Sequence, residues 1–134
     1  MATERIEEYL ETLDEIIKGK GYAKVKDVAT FLSVSPPSVT EMLQKLSEKG
    51  YINYEKYSGV TLTTKGEKLA SQLRRKHETL KQFFEIIDVP KNIADEDACK
   101  IEHVINKITM NKLTKFVIFM QDSNIKKEWD KQNK

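Results

Sequence analysis

Two short amphipathic segments, separated by only three residues, are the feature that most limits the fold of this chain. Apolar residues recur at helical spacing in residues 24–32 and again in residues 36–48. The last of the three linking residues is Ser35, and two prolines follow it. Ser35 is a natural N-cap, and prolines are tolerated in a first helical turn, where the N–H groups have no helical partners. The sequence therefore predicts a helix, a tight turn and a second helix.

Another helix precedes this pair and a hairpin follows it. Residues 3–18 carry an apolar stripe at helical spacing, which Gly19 and Gly21 are expected to end. Residues 51–54 and 60–63 are rich in aromatic and β-branched residues, and a polar turn separates them. Helix, turn, helix and two-stranded hairpin is the order of a winged helix-turn-helix motif.

The rest of the chain predicts helices only. Thr64 is expected to cap a helix that runs toward Phe84 and is broken near Pro90. Residues 93–108 and 111–121 predict two more helices, of which the second is apolar almost all round. Such a helix needs burial on several sides, and in a chain this short we expect a second subunit to supply it. The expected fold class is mainly α with a small β-hairpin wing: a winged helix-turn-helix followed by an all-α dimerisation domain.

Length, hydropathy and cysteine content exclude several classes of protein. The 134 residues suffice for one domain or two small ones. No apolar run approaches the roughly 20 residues that span a bilayer, and the N-terminus lacks the features of a signal peptide. A single cysteine allows no internal disulfide and fits a reducing compartment. We therefore expect a cytoplasmic protein with no membrane partner.

Charge is unevenly distributed, although the net charge is only +2. Residues 22–82 hold eleven basic and six acidic residues, whereas residues 1–21 and 83–110 each hold three basic and six acidic ones. This pattern indicates a polyanion as the partner of the basic middle and cations as partners of the acidic blocks. Ordinary charge scatter in a small protein is the alternative.

The second helix of the motif offers side chains suited to double-stranded DNA. Hydroxyl groups at its N-terminus can bond phosphates or base edges, and the helix dipole favours phosphate there. The alternative is a winged helix that binds another protein. The excess of basic residues in residues 22–82 argues against this alternative. Glu41 would either accept from a cytosine amino group or repel phosphate. The expected DNA contacts are Ser35, Pro37, Ser38, Thr40, Glu41, Gln44 and Lys45, with Lys56 and Tyr57 at the wing tip.

Three residues near position 100 have the chemistry of metal ligands. Cys99, Glu102 and His103 are spaced i, i+3 and i+4, so they share one face if residues 93–108 form a single helix. A thiolate, a carboxylate and an imidazole on one patch can bind a transition metal. A half-buried thiol and a surface imidazole are the alternative. The opposite side of that helix is apolar and is expected to pack on a core: Ile101, Val104, Ile105 and Ile108.

Two further features favour a metal site. The only other histidine, His77, lies on the helix that leads out of the winged motif. The first helix carries an acidic ridge, which taken alone is most simply a solvated face: Glu4, Glu8, Glu11 and Glu15. Taken together, the three helices could supply one site.

These strings, in this order, resemble one family over essentially the whole chain. They are Glu7-Glu8-Tyr9-Leu10-Glu11, the winged motif, Arg75-Lys76-His77 and Glu96-Asp97-Ala98-Cys99-Lys100-Ile101-Glu102-His103. The chain is similar to the diphtheria toxin repressor family of metal-dependent bacterial and archaeal regulators. Its length resembles that of the short manganese transport regulator branch, which lacks the SH3-like third domain of the longer iron regulators.

The resemblance implies a repressor that binds a palindromic operator upstream of metal-uptake genes as a homodimer. It implies one or two Mn²⁺ or Fe²⁺ ions per subunit, DNA binding by residues 1–71, and metal binding and dimerisation by residues 72–134. The metal ligands that it implies are Glu8, Glu11, His77, Cys99, Glu102 and His103.

Two of these positions depart from the manganese pattern. Glu8 stands where that branch usually has aspartate, and Cys99 stands where it has glutamate, as in the iron regulators. The iron regulators, however, have methionine at the position of Glu8. A thiolate shifts preference toward iron, cobalt, nickel or zinc, so Mn²⁺ and Fe²⁺ both stay open.

Two alternatives belong to other functional classes. One is a winged-helix DNA-binding regulator without metal control, and the other is a small metalloenzyme. The sequence has no Ser-His-Asp set and no glycine-rich phosphate loop. We therefore expect neither an enzymatic reaction nor a small organic substrate.

Overall fold

The computed structural model describes residues 3–55 and 58–133, which form seven helices and one antiparallel hairpin. The elements are α1 (Glu4–Lys20), α2 (Val25–Leu32), α3 (Pro36–Glu48), β1 (Ile52–Glu55), β2 (Gly59–Leu62), α4 (Thr64–Ile86), α5 (Lys91–Ile101), α6 (Lys107–Met120) and α7 (Ser123–Gln132). The chain divides into two compact units between Leu73 and Arg74. No described helix combines the length and the apolar character that a membrane crossing requires.

The first helix begins where predicted and ends slightly later. The Thr3 hydroxyl accepts a hydrogen bond from the Ile6 N–H at 3.2 Å and so caps α1. Gly21 ends the helix with φ of 87°, a left-handed conformation that favours glycine. Gly19, which was expected to help end the helix, lies inside it.

The helix-turn-helix is confirmed. Ser33 leaves α2 in the left-handed conformation, with φ of 55°. Ser35 caps α3 because its hydroxyl accepts from the Ser38 N–H at 3.3 Å. The two prolines occupy the first two positions of the helix, where no helical hydrogen bond is lost.

The hairpin completes the first unit and is tied to the start of α2. Ile52 pairs with Leu62 and Tyr54 with Val60. Ala23 forms an isolated bridge to Val60, with N–H···O distances of 3.0 and 2.7 Å in the two directions. Helices and hairpin share one buried cluster: Ile6, Tyr9, Leu10, Leu13, Ala23, Val28, Ala29, Val39, Leu43, Leu46, Ile52 and Val60.

Thr63, and not Thr64 as predicted, caps α4. The Thr63 hydroxyl accepts from the Gly66 N–H at 3.1 Å, and Thr64 is the first residue of the helix. A Cβ atom at Gly66 would collide with the carbonyl oxygen of Tyr51, so only glycine fits there without a shift of the backbone.

The predicted single helix over residues 93–108 is wrong. The α5 helix ends at Ile101, residues 102–106 form a turn, and Asn106 starts a new helix because its side-chain oxygen accepts from the Ile108 N–H at 2.8 Å. Val104 and Ile108, expected in the core, are 69% and 71% exposed. Ile101 and Ile105 do pack on a small cluster, which is formed by Leu80, Ala98 and Met110.

The second unit has only one other cluster among its described residues. It consists of Ile86, Val117 and Met120, and α7 covers it with Ile125 and Trp129. The predicted helix over residues 111–121 is present as α6, and it leaves large apolar side chains exposed: Phe116, Ile118 and Phe119.

Candidate metal centre and DNA-binding helix

Glu102 is a carboxylate with no exposed surface, which is unusual in so small a protein. It directly follows α5 and keeps helical backbone angles, with its N–H donating to the Ala98 carbonyl at 3.0 Å. A buried carboxylate is costly unless it is paired with a cation or coordinates a metal. The side chains around Glu102 therefore determine whether its carboxylate is paired with a cation or can coordinate a metal.

Two imidazoles flank the Glu102 carboxylate. His77 Nδ1, from the middle of α4, lies 3.2 Å from Glu102 Oε2. His103 Nε2 lies 3.4 Å from Glu102 Oε1, and its side chain is only 6% exposed. His77 reaches the carboxylate because α5 packs against α4 within the second unit, whereas His103 directly follows Glu102 in the chain.

The thiol of Cys99 lies close to the Glu102 carboxylate and the His77 ring. It lies in the last turn of α5 with an exposed thiol. Ligand atoms of His77, Cys99 and Glu102 all lie within 4.8 Å of one another. Atoms bound to one transition metal at about 2.0–2.3 Å lie up to about 4.6 Å apart, so small side-chain adjustments would let these three share an ion. Carboxylate, imidazole and thiolate donors fit a divalent transition metal.

The structure thus brings the expected ligands of the second unit together, but not on the single helix expected. Cys99 lies on α5, whereas Glu102 and His103 lie in the turn that follows. The turn places His103 beside Glu102. The assignment of these residues as metal ligands stays a prediction.

Asp95 also belongs to this group, although the sequence pattern did not predict it. Asp95 Oδ1 lies 2.7 Å from His77 Nε2, on the side of the ring away from Glu102. Asp95, Cys99 and Glu102 are spaced i, i+4 and i+7, the period of one helical face. That spacing is the signal that could have identified it.

Glu8 and Glu11 belong to the first unit and lie one turn apart on α1, as the acidic ridge predicts. Glu8 accepts a hydrogen bond from the Arg5 guanidinium at 2.8 Å, and its backbone carbonyl accepts from the Thr12 hydroxyl at 3.0 Å. Glu11 is half-buried. Their role as metal ligands also stays a prediction.

The α3 helix exposes its expected DNA contacts and buries the opposite face. Val39, Leu43 and Leu46 face the core. The hydroxyls of Ser35 and Ser38 share a hydrogen bond of 2.8 Å at the N-terminus of the helix. Thr40 is half-buried. The other contacts expected at α3 are exposed: Ser35, Pro37, Ser38, Glu41, Gln44 and Lys45. Lys56 and Tyr57 lie outside the described residues.

Two family models match consecutive parts of the chain. The model described as iron dependent repressor, N-terminal DNA binding domain, matches residues 1–60. The model described as iron dependent repressor, metal binding and dimerisation domain, matches residues 63–129. Together they cover nearly all of the sequence.

Individual transcriptional regulators are also similar in sequence to this chain over most of its length. An HTH-type transcriptional regulator, MntR of Lysinibacillus sphaericus (strain C3-41), is 42% identical over 123 residues, which are 92% of this chain and 88% of that protein. MntR of Bacillus subtilis (strain 168) is 38% identical over 128 residues, 96% of this chain and 90% of that protein.

Solved structures share the fold. A crystal structure of ScaR with bound Zn²⁺ superimposes with a TM-score of 0.74 at 31% identity, covering 85% of this chain and 54% of that one. The structure of the manganese regulator SloR gives a TM-score of 0.72 at 30% identity, covering 89% of this chain and 55% of that one. This chain therefore spans about half the length of these two regulators.

Proposed function

The chain belongs to the iron dependent repressor family, and on that basis we propose which metal, which ligands and which DNA contacts it uses. It is a metal-dependent transcriptional repressor, not an enzyme, and it binds operator DNA as a homodimer. The cofactor is a divalent metal ion, Mn²⁺ or Fe²⁺.

The proposed metal ligands are Glu8, Glu11, His77, Cys99, Glu102 and His103. The observation that carries this assignment is the burial of Glu102 between two imidazoles and beside a thiol. A divalent ion held by these residues would supply positive charge to the fully buried Glu102 carboxylate. Glu8 and Glu11 enter the set through the resemblance to the family and through their place on one face of α1.

The choice between Mn²⁺ and Fe²⁺ depends on Cys99. The names of the relatives, among them the manganese regulator SloR, favour Mn²⁺. The thiolate favours Fe²⁺, because oxygen ligands suit manganese and sulfur suits the later transition metals. We expect Cys99→Glu to raise the affinity for Mn²⁺ relative to Fe²⁺, and an unchanged order of preference would contradict this role of Cys99. A carboxylate at this position would also favour a second ion, so the variant should be tested for one or two ions per subunit.

The proposed mechanism is a population shift. Without metal, the acidic ridge of α1 and the acidic α5 repel each other, and the two winged motifs of the dimer sample many separations. With a divalent ion held by the proposed ligands, that repulsion would be removed, and the separation that fits two half-sites, roughly 34–36 Å per helical turn of DNA, would be favoured. By linkage, metal and DNA must strengthen each other's binding by the same factor.

The proposed DNA contacts are the exposed residues of α3 together with Thr40 and the wing residues Lys56 and Tyr57. We assign DNA binding to residues 1–71 and metal binding and dimerisation to residues 72–134. A repressor acts where the chromosome lies, so we place the protein in the cytoplasm and its operators upstream of metal-uptake genes.

Fluorescence anisotropy with a labelled duplex from the protein's own upstream region tests the proposal. Binding is compared with a chelator, with Mn²⁺ and with Fe²⁺ under anaerobic conditions, at one salt concentration because phosphate contacts depend on salt. We expect tight binding only with metal, and loss of the metal response in His103→Ala. Glu128→Ala, which removes an exposed charge from α7 and leaves the acidic α5 intact, is the matched control and should respond normally. Binding that ignores the chelator would instead support a winged-helix regulator without metal control.

A further inference from the structure

Asp95 contacts His77 on the side of the ring that faces away from Glu102, and we propose that it is a positioning residue for metal binding. Its Oδ1 atom lies 2.7 Å from His77 Nε2, while His77 Nδ1 lies 3.2 Å from Glu102 Oε2. Two carboxylates therefore flank the two nitrogens of one imidazole. The inference rests on the proposed metal site and adds a residue that is not one of its six proposed ligands.

The hydrogen-bonding chemistry of the imidazole indicates which nitrogen of His77 carries the proton. A neutral imidazole carries one N–H and one lone pair, and an ionised carboxylate can only accept a hydrogen bond. A contact of 2.7 Å is typical of a strong, charge-assisted hydrogen bond. Both carboxylates can accept from the ring, but the Asp95 contact is the shorter one, so Asp95 favours the tautomer with the proton on Nε2 over the one in which Nδ1 donates to Glu102.

The lone pair is then available where the other donors meet. Ligand atoms of His77, Cys99 and Glu102 lie within 4.8 Å of one another. Because Nδ1 is the nitrogen on the Glu102 side of the ring, it is the one that would bind a metal at this position. Histidines that bind metals commonly donate their other N–H to a carboxylate, which orients the ring and raises its basicity. Asp95 is placed to do this for His77.

The surroundings of Asp95 make a purely structural role a weaker explanation. Its side chain is 57% exposed, and ion pairs of that exposure contribute little to folding. Among the residues that the structure describes, His77 is the one side chain that shares a hydrogen bond with the Asp95 carboxylate. Removing Asp95 should therefore leave the metal-free fold intact and change the tautomer of the His77 imidazole.

The test uses the full-length protein and three variants. Asp95→Ala removes the acceptor, Asp95→Asn keeps an acceptor without the charge, and Glu96→Ala is a matched control on the neighbouring exposed position. Long-range ¹H–¹⁵N NMR of the metal-free proteins, at a pH where the imidazole is neutral, identifies which nitrogen of His77 carries the proton. Electron paramagnetic resonance of free Mn²⁺ then gives the affinity for Mn²⁺, and circular dichroism checks the fold.

We expect the proton on Nε2 in the wild type and in Glu96→Ala, and a mixture of tautomers in Asp95→Ala. The affinity for Mn²⁺ should fall about 10- to 100-fold in Asp95→Ala, as for other residues that orient metal ligands, and by less in Asp95→Asn. An unchanged tautomer or wild-type affinity in Asp95→Ala would overturn this inference alone. Failure of the wild type to bind Mn²⁺ or Fe²⁺ would overturn the proposed metal site with it.

Discussion

The two units of this chain bury their apolar residues to very different extents. In the first unit, twelve buried residues form one cluster, whereas each of the two clusters described in the second unit has three. The first unit exposes only Tyr22 and Phe31 among its large apolar residues, within the part of the chain described. The second exposes many more: Ile87, Ile93, Val104, Ile108, Phe116, Ile118 and Phe119.

This difference shows that the units are stabilised in different ways. The first has a core that its own helices and hairpin complete. The second presents apolar surface of the kind that marks interaction sites and homodimer interfaces. The metal-binding and dimerisation model of the family covers this region, so a second copy of the chain is the expected cover. Four predictions test the comparison, from the largest effect to the smallest.

Leu43→Ala should destabilise the first unit without separating the subunits. Leu43 is fully buried, and loss of such a side chain costs about 2–5 kcal/mol of unfolding free energy. Urea denaturation followed by circular dichroism measures this loss, and analytical ultracentrifugation checks that the dimer persists. Phe31→Ala removes a half-exposed side chain of the same unit and should cost much less. Equal losses in the two variants would contradict the view of a single, self-contained core.

Ile118→Asp should separate the subunits and leave the first unit folded. Ile118 is largely exposed in one chain, and the substitution puts a charge on the face of α6 that we expect to form the dimer interface. A residue at the centre of an interface contributes about 2 kcal/mol, so the dissociation constant should rise roughly 30-fold. Sedimentation equilibrium measures it. Asn124→Asp adds the same charge to the exposed surface of α7 and should leave the dimer unchanged. A dimer of wild-type strength in Ile118→Asp would remove α6 from the interface.

The same kind of substitution should act differently at helix starts in the two units. Ser35→Ala removes the cap of α3, a helix packed into the large core, and should cost about 1 kcal/mol of global stability. Asp122→Ala removes the cap of α7, where Asp122 accepts from the Asn124 N–H at 2.9 Å. Because α7 has no fully buried residue, it should fray locally. Trp129 fluorescence reports that fraying, and a global loss as large as that of Ser35→Ala would contradict the comparison.

Asp27→Asn should give the smallest effect, and one that depends on pH. The hydrogen bond from Lys20 at 2.9 Å, and then that from the Lys24 N–H at 3.0 Å, hold the pKa of Asp27 below its ordinary value. A lowered pKa in the folded state stabilises the protein above the unfolded value of about 3.9, and this contribution is lost as pH falls through the folded pKa. The wild type should therefore be more stable than Asp27→Asn near neutral pH and should lose this advantage as the pH falls through the lowered pKa of Asp27. Thermal denaturation across this range is the measurement, and a constant difference would be evidence against an electrostatic origin.

The elements of the first unit agree closely with those predicted because the sequence signals that specify them are local. Ser35 with its two prolines, the apolar face of α3 and the change to β-branched residues after Gly50 each act within a few residues of the chain. The errors there are shifts of one or two residues, at the end of α1 and at the cap of α4, which is Thr63 and not Thr64. Family membership also follows from strings that can be read directly in the sequence.

The sequence by itself therefore determined the winged motif, the helical second half and the residue types able to bind a metal. Only the tertiary structure decided where α5 ends, that Glu102 is fully buried and that Asp95 contacts His77. His77 and Glu102 are separated by 25 residues, and their contact depends on how α4 and α5 pack. Helix periodicity specifies which residues share a face, but the burial of a side chain and its partner on another helix depend on contacts between distant parts of the chain.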